Sequence, residues 1–337
     1  MSAIADVARL AGVSKATASR ALSGHGYVAD ETRERVTAAA AEIGYIASPN
    51  AASLITGRSK NIGVLIPFVN RWFFGELLEG IESALLGEGY DLTLYNLTVG
   101  GIERERIFDF FLARKRVDAI IAVGVELSAK ELELLTRLGK PIVGVGVPIE
   151  GIPSLSIDDM TAARLATEHL ISLGHTRIAH IGGGQAERMG HSVHGKRLAG
   201  FRQAMDAAGL PDGDFWPTEM SMPDGFSAAL QALGDPRRRP TAVFAACDEI
   251  AFGTMIAAQR LGIQVPGELS VVGIDGHEYA EMFGLTTIEQ KPREQGGLAV
   301  EIALAMLDDA ASSRPPTETL LPLRFMVRSS TTSPPRG

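Results

Sequence analysis

The chain has 337 residues, 45% hydrophobic and 21% charged, with a net charge of −8. This balance fits a globular protein of two or three domains and excludes a disordered chain; no apolar run reaches the length of a membrane span. The single cysteine, Cys247, excludes an intrachain disulfide framework, and residues 1–20 lack the apolar stretch of a secretory signal, so a cytoplasmic protein is expected. The charge is uneven. Residues 1–60 hold Arg9, Lys15, Arg20, Arg33, Arg35, Arg58 and Lys60 against Asp6, Asp30, Glu31, Glu34 and Glu42, a net of +2 that leaves −10 for the remainder. A basic head on an acidic body suggests an anion-binding head and a body with a different task.

In chain order, Ile4, Val7, Ala8 and Ala11 fall on one face of a short helix, and Gly12 ends it. Ser14 is placed to cap a second helix that turns Ala18, Ala21 and Leu22 inward and leaves Lys15, Ala16, Ser19 and Arg20 outside. The stretch "DETRERVTAAAAEIGY" opens on Asp30, read as a cap, and buries Val36, Ala40 and Ile43 in a third helix. Three short helices with a tight turn between the first two predict a helix-turn-helix domain. The second helix would enter the major groove, the groove that admits a helix and displays a distinguishable base code. Arg20 can fork onto guanine, Lys15 and Ala16 lie where base edges are reached, and Thr17 and Ser19 suit phosphates. The pattern alone also suits a plain three-helix packing module with solvated cations.

From Ile62 onward, short apolar strands alternate with helices. "IGVLIP", "YDLTLYN", "VDAIIAV" and "PIVGVGV" read as strands, with helices near Phe74–Leu86, Glu103–Arg114 and Ala129–Arg137. A second set follows: "RIAHIGG", "TAVFAAC" and "LSVVGID", with helices near Thr161–Leu173, Lys196–Ala208 and Glu249–Leu261. "TTIEQKPREQGGLAVEIALAML" supplies another strand and helix, and "TLLPLRFMV" a last strand. Such alternation predicts parallel sheets covered on both faces, in two doubly wound lobes with a ligand between them.

"DVARLAGVSKATASRAL" resembles the DNA-binding signature of the lac/galactose repressor family, and the blocks "HLISLGHTRIAHIGG", "RLAGFRQAMDAAGL", "IAFGTMIAAQRLGIQVPGELSVVGIDG" and "LTTIEQ" resemble the family's body in family order. The resemblance implies a hinge within "YIASPNAASLITGRS" that inserts a leucine into the minor groove. Counting from Tyr45 puts Leu54 at the wedge position, with Ala51, Gly57 and Ser59 also matching; Pro49-Asn50 is displaced by two from the family's place. An apolar wedge of this kind partly unstacks a base step and kinks the duplex. The DNA-contacting set is then Lys15, Ala16, Thr17, Ser19, Arg20 and Tyr27, with Ala51 and Leu54 from the hinge. For the body the resemblance implies a periplasmic-binding-protein-like architecture whose effector site takes Trp72, Phe73, Arg197, Cys247 and Asp275. A sugar site needs polar groups for vicinal hydroxyls and an aromatic face for the ring; Arg197 and Asp275 suit the first, Trp72 and Phe73 the second. The pattern is departed from at Cys247, where asparagine is frequent, at Gly276, where a second acid is frequent, and at Arg71-Trp72.

The expected organisation is a helix-turn-helix head over 1–46, a hinge over 47–60 and a two-lobed effector-binding and dimerisation body over 61–337. Its first lobe would comprise about 61–157 and 289–318, its second about 158–288 and 319–330. The expected function is a ligand-responsive transcription regulator, a homodimeric repressor of pseudo-palindromic operator DNA controlled by a carbohydrate. A solute-binding protein shares such a body but has no use for residues 1–60. "HIGGGQAE" lacks the spacing of a phosphate loop, His191 and His194 lack a clear third metal ligand, and no nucleophile, base and oxyanion donors converge. No enzyme, cofactor or metal is expected.

Overall fold

The computed structural model describes residues 4–23, 26–45, 58–97, 102–111, 117–183, 193–308 and 317–335. Ala51 and Leu54 lie outside them. The head consists of α1 (Ile4–Leu10), α2 (Lys15–Ser23) and α3 (Asp30–Glu42). Its core is small and alanine-rich: Val7, Ala8 and Ala11 pack on Ala18, Ala21, Val36, Ala39 and Ala40. Ser14 caps α2, its Oγ accepting from the Thr17 amide at 3.1 Å. Asp30 is not the cap of α3. Ala29 holds that position without a side-chain bond, and Asp30 is the first helical residue, where its charge meets the positive end of the helix. Arg33 Nη1 ties α3 to the end of α2 by donating to the Ala21 carbonyl at 3.0 Å.

The first lobe is a parallel sheet of β1 (Asn61–Ile66), β2 (Asp91–Asn96), β3 (Ala119–Val123), β4 (Ile142–Val145), β5 (Ser154–Ser156) and β11 (Glu318–Leu320), in the order β2-β1-β3-β4-β5-β11. Alternation along its strands feeds two cores. Ile62, Val64, Ile121 and Val123 face α4 (Trp72–Gly87) and α11 (Pro292–Leu307), whereas Leu65, Ile120, Ala122 and Ile142 face the side of α5 (Ile102–Arg106) and α6 (Ala129–Arg137).

The second lobe comprises β6 (Ile178–Ile181), β7 (Phe215–Trp216), β8 (Ala242–Ala245), β9 (Ser270–Asp275), β10 (Thr286–Glu289) and β12 (Arg324–Met326), in the order β7-β6-β8-β9-β10-β12. Only its edge strand β12 runs antiparallel, against β10. α7 (Asp159–Ser172) and α8 (Val193–Ala207) cover one face, α9 (Met222–Leu233) and α10 (Asp248–Arg260) the other. The short β5 and β7 and helix α9 went unanticipated, because two or three residues carry no period and "MPDGFSAALQAL" follows a proline-rich loop.

The chain crosses between lobes three times: after β5, after β10 and between β11 and β12. The last crossing splits "TLLPLRFMV", expected as one strand, into two strands of different sheets. The Leu321 amide makes the final bond to the first sheet, donating to Ser156 O at 2.8 Å, and Pro322 then offers no amide. Thr319 and Leu320, expected in the second lobe, therefore lie in the first sheet. Glu289, expected in the first lobe, pairs with Asp275 in the second. Among the described residues no helix is long and apolar enough to cross a membrane.

Candidate functional site

On the head, α2 presents Lys15, Ala16 and Arg20 to solvent, with Thr17 and Ser19 half-buried at its flanks. Arg20 Nε donates back to the Ala16 carbonyl at 3.3 Å, which holds the guanidinium along the exposed face. Tyr27, past the helix, is 93% exposed. Because Ala18 and Ala21 are spent on the core, a single polar stripe is left outward, one that a groove of stacked base edges can meet.

The body holds a partly open cavity of about 320 Å³ between the lobes, at the carboxyl ends of both sets of strands. The first lobe contributes an aromatic wall. Phe68 and Phe74 lie 5.9 Å apart, and Phe73 meets Phe74 edge-on at 5.4 Å. The second lobe contributes the polar wall, with Arg197, Asp275 and His194, beside which Cys247 also lines the cavity. Trp72 does not line the cavity. It is the first residue of α4, and one helical step of about 100° separates neighbouring side chains, so Trp72, Phe73 and Phe74 cannot all face one cleft. Trp72 instead stacks on His277 of the second lobe, centroids 4.4 Å apart, closing contact between the lobes beside the cavity.

Arg197 is buried because Asp159 is buried with it: Nε donates to Asp159 Oδ1 at 2.8 Å, and Nη1 donates to the Ala246 carbonyl. Burial opposes the Arg197 charge, but Asp159 and Asp275 outweigh it and raise its pKa. Asp158, its neighbour in sequence, caps α7 through the Thr161 amide at 3.0 Å. Asp275 ends β9 at φ 146°, a region that non-glycine residues rarely occupy. Gln290 Nε2 donates to its Oδ1 at 2.6 Å. Burial, reinforced by Asp248, pushes the Asp275 carboxyl well above the usual range. Asp248 accepts from the His277 amide at 2.8 Å and the Thr287 hydroxyl at 2.6 Å, fastening the loop after β9 to α10.

Cys247 lies at the start of α10 with its thiol pushed up, first by burial and then by Asp275, so it faces the cavity as a neutral apolar group. Gly276 stands where an acid was the family expectation. Its φ is 73°, and a Cβ would come within 2.9 Å of the Glu289 backbone, so a side chain is excluded there by space.

Several lining residues were not in the effector set expected from the sequence: Phe68, Phe74, His194, Gln290 and Gln295. His194 is held neutral, its pKa lowered to about 4 by burial and then by Arg197, and its Nδ1 has no partner. Gln290 closes the block "LTTIEQ", which carried the family resemblance but no assigned role, and Gln295 follows it in the second crossing; the doublet "FF" was the one available signal for Phe74. Among the described residues no cluster of His, Cys, Asp and Glu could hold a metal ion.

A helix-turn-helix head joined to a two-lobed body with a cleft between the lobes defines a class, a DNA-binding regulator carrying a ligand-binding domain. Residues 3–49 match the bacterial regulatory proteins of the lacI family, and residues 167–331 match the periplasmic binding protein-like domain. The HTH-type transcriptional repressor PurR of Vibrio parahaemolyticus is 37% identical over 316 residues, 92% of this chain and 93% of that protein. Among solved structures, the lac repressor dimer bound to operator and the anti-inducer ONPF is 28% identical, with a TM-score of 0.86 over 98% of this chain and 99% of that one. The complex of the regulator CelR with cellobiose is 28% identical, with a TM-score of 0.70 over 98% and 100%. The chain belongs to the LacI family of DNA-binding transcription regulators.

Proposed function

We propose that this regulator is a homodimeric repressor whose hold on a pseudo-palindromic operator is set by a small carbohydrate bound between the lobes. The observation that carries this reading is the two-sided cavity, with phenylalanine faces on one wall and a buried arginine and carboxylate on the other. A pyranose has matching sides: axial C–H bonds for Phe73 and Phe74, and vicinal hydroxyls for Arg197 and Asp275. Cys247 and Met220 supply apolar contact, and neutral His194 supplies a further acceptor or donor. The volume suits one or two sugar rings, and the similar regulator in complex with cellobiose supports the class.

In this reading Lys15, Ala16 and Arg20 address bases, Thr17, Ser19 and Tyr27 hold the backbone, and Ala51 and Leu54 act from the hinge in the minor groove. Two copies are required because one small head makes too few contacts for useful specificity. Tyr279, Met282 and Phe283 offer an apolar patch on the second lobe, with Met282 82% exposed, and Leu86 and Leu94 offer apolar surface on the first. The test is thermal-shift screening against cellobiose, D-ribose and a panel of hexoses, followed by the same sugars in a mobility-shift assay on a duplex selected from random sequence. A sugar that both raises the unfolding midpoint and changes duplex affinity supports the proposal. A shift produced by planar nitrogen heterocycles and by no sugar would replace the ligand class.

A further inference from the structure

Residues 58–60 enter the first lobe under two separate clasps. Asp118, buried just before β3, accepts from the Ser59 amide at 2.8 Å, the Ser59 hydroxyl at 3.0 Å and the Lys60 amide at 2.8 Å. Arg58, one residue nearer the head, takes a different anchor. Its Nη2 donates to the Leu307 carbonyl at 2.6 Å and its Nη1 to Asp308 Oδ1 at 3.0 Å. Leu307 is the last residue of α11. The final carbonyls of a helix lack intrahelical donors and carry a partial negative charge, so a guanidinium there satisfies an acceptor and meets the helix dipole at once.

The other end of α11 lies at the cavity. Gln290, just before the Lys291 cap, is the residue bonded to Asp275, and Gln295 in the first turn donates to the Gln290 carbonyl at 2.7 Å. Both glutamines line the cavity. Between the two ends, α11 is a rod of about 24 Å at the usual rise per residue. It is seated backbone to backbone on α4: a Cβ on Gly80 would collide with the Arg293 carbonyl, and one on Gly296 with that of Leu77. Arg293 adds a fork onto Glu76, 2.7 Å, and Glu79, 2.6 Å. A helix so seated passes displacement from end to end with little bending.

We propose that Arg58 is a positioning residue that fastens the chain leading to the head onto the cavity-sensing helix α11, so that the state of the cavity reaches the head through the Arg58–Leu307–Asp308 clasp. The proposal rests on the reading of the head as DNA-binding and of the cavity as the effector site. Linkage makes it testable without knowing the effector, because a route that carries cavity state to the head also carries DNA binding back to the cavity.

The experiment is amide hydrogen exchange on the full-length protein with and without a saturating duplex selected from random sequence. In the wild type, duplex binding changes exchange across Asp275–Gln295 by roughly 5-fold or more. In Arg58→Ala the duplex still binds, and that distant change falls below about 2-fold, with Asp308→Ala and Arg58→Lys, which each keep one acceptor contact, in between. Unaltered unfolding midpoints confirm that the variants fold. A full wild-type response in Arg58→Ala overturns the proposal, as does a wild type that binds the duplex with no change at the cavity. A wild type that prefers no duplex overturns the DNA reading beneath it, a separate and recognisable result.

Discussion

The head and the body place their functional side chains in opposite settings. In the head, alanines and valines make a minimal core, and the residues assigned to DNA there are exposed (Lys15, Ala16, Arg20 and Tyr27) or half-buried (Thr17 and Ser19), where a phosphate or base edge replaces water. In the body, Arg197, Asp159, Asp248 and Asp275 are taken out of water altogether and are held by one another, by Thr287 and by Gln290. In the proposed reading the difference follows from the ligand. A duplex is larger than the head and brings its own field, so exposed cations suffice, whereas a small sugar must find donors and acceptors already oriented.

The largest expected effect tests how strongly the body depends on its buried charges. Arg197→Ala leaves Asp159 buried without a counter-ion and should lower unfolding stability by about 3–5 kcal/mol in urea titration, since breaking one side of such a pair costs more than the pair contributes. A loss under about 1 kcal/mol would mean that water already reaches Asp159. Asp275→Asn preserves the shape and removes the acidic group. It should erase an effector response of about 1–3 kcal/mol in operator affinity while leaving ligand-free DNA binding in place, read by mobility shift. A surviving response would move the recognition centre to His194 or Gln290.

For the head, Arg20→Ala should cost about 1–3 kcal/mol and relax preference at one base pair, with the body's unfolding unchanged. A variant whose penalties across all single-base substitutions of the site match those of the wild type would remove Arg20 from base reading.

The smallest effect concerns the lobe contact. His277 has its pKa lowered to about 4 by burial, against the pull of Glu76, while stacked on Trp72 and edge-on to Phe252. Between pH 6.5 and 4 the unfolded chain binds a proton at this residue that the folded chain refuses. Its contribution is therefore complete above pH 6.5 and is lost as pH falls through that window. His277→Gln should accordingly lose stability less steeply than the wild type on acidification, seen as converging unfolding midpoints. Parallel curves would show that His277 does not titrate alone.

What the sequence disclosed follows the same division. The head helices, the positions of the long strands along the chain and the presence of Arg197 and Asp275 at the cleft were legible because they rest on local period or on a family block. The capping of α3 was not, since Asp30 carries the better capping side chain while Ala29 holds the cap position by its backbone angles alone. Trp72 was misplaced for a reason of phase: adjacent aromatics look equivalent in a string but diverge around a helix. Gln290 lay within the family block "LTTIEQ" and Gln295 just beyond it, but neither had a readable role, because that role arises where the chain changes lobes and no local pattern marks a crossing. Likewise, nothing near Arg58 in the sequence indicates that its partners are Leu307 and Asp308.

The most direct measurement of the central claim is the dissociation constant of the purified full-length protein for its selected duplex against random competitor at moderate salt, taken with and without the sugar found by thermal shift. The account predicts a sequence preference of about 10³-fold or more, changed about 5–150-fold by the sugar. Equal affinity for selected and random duplexes, in the presence and absence of every sugar tried, would contradict it.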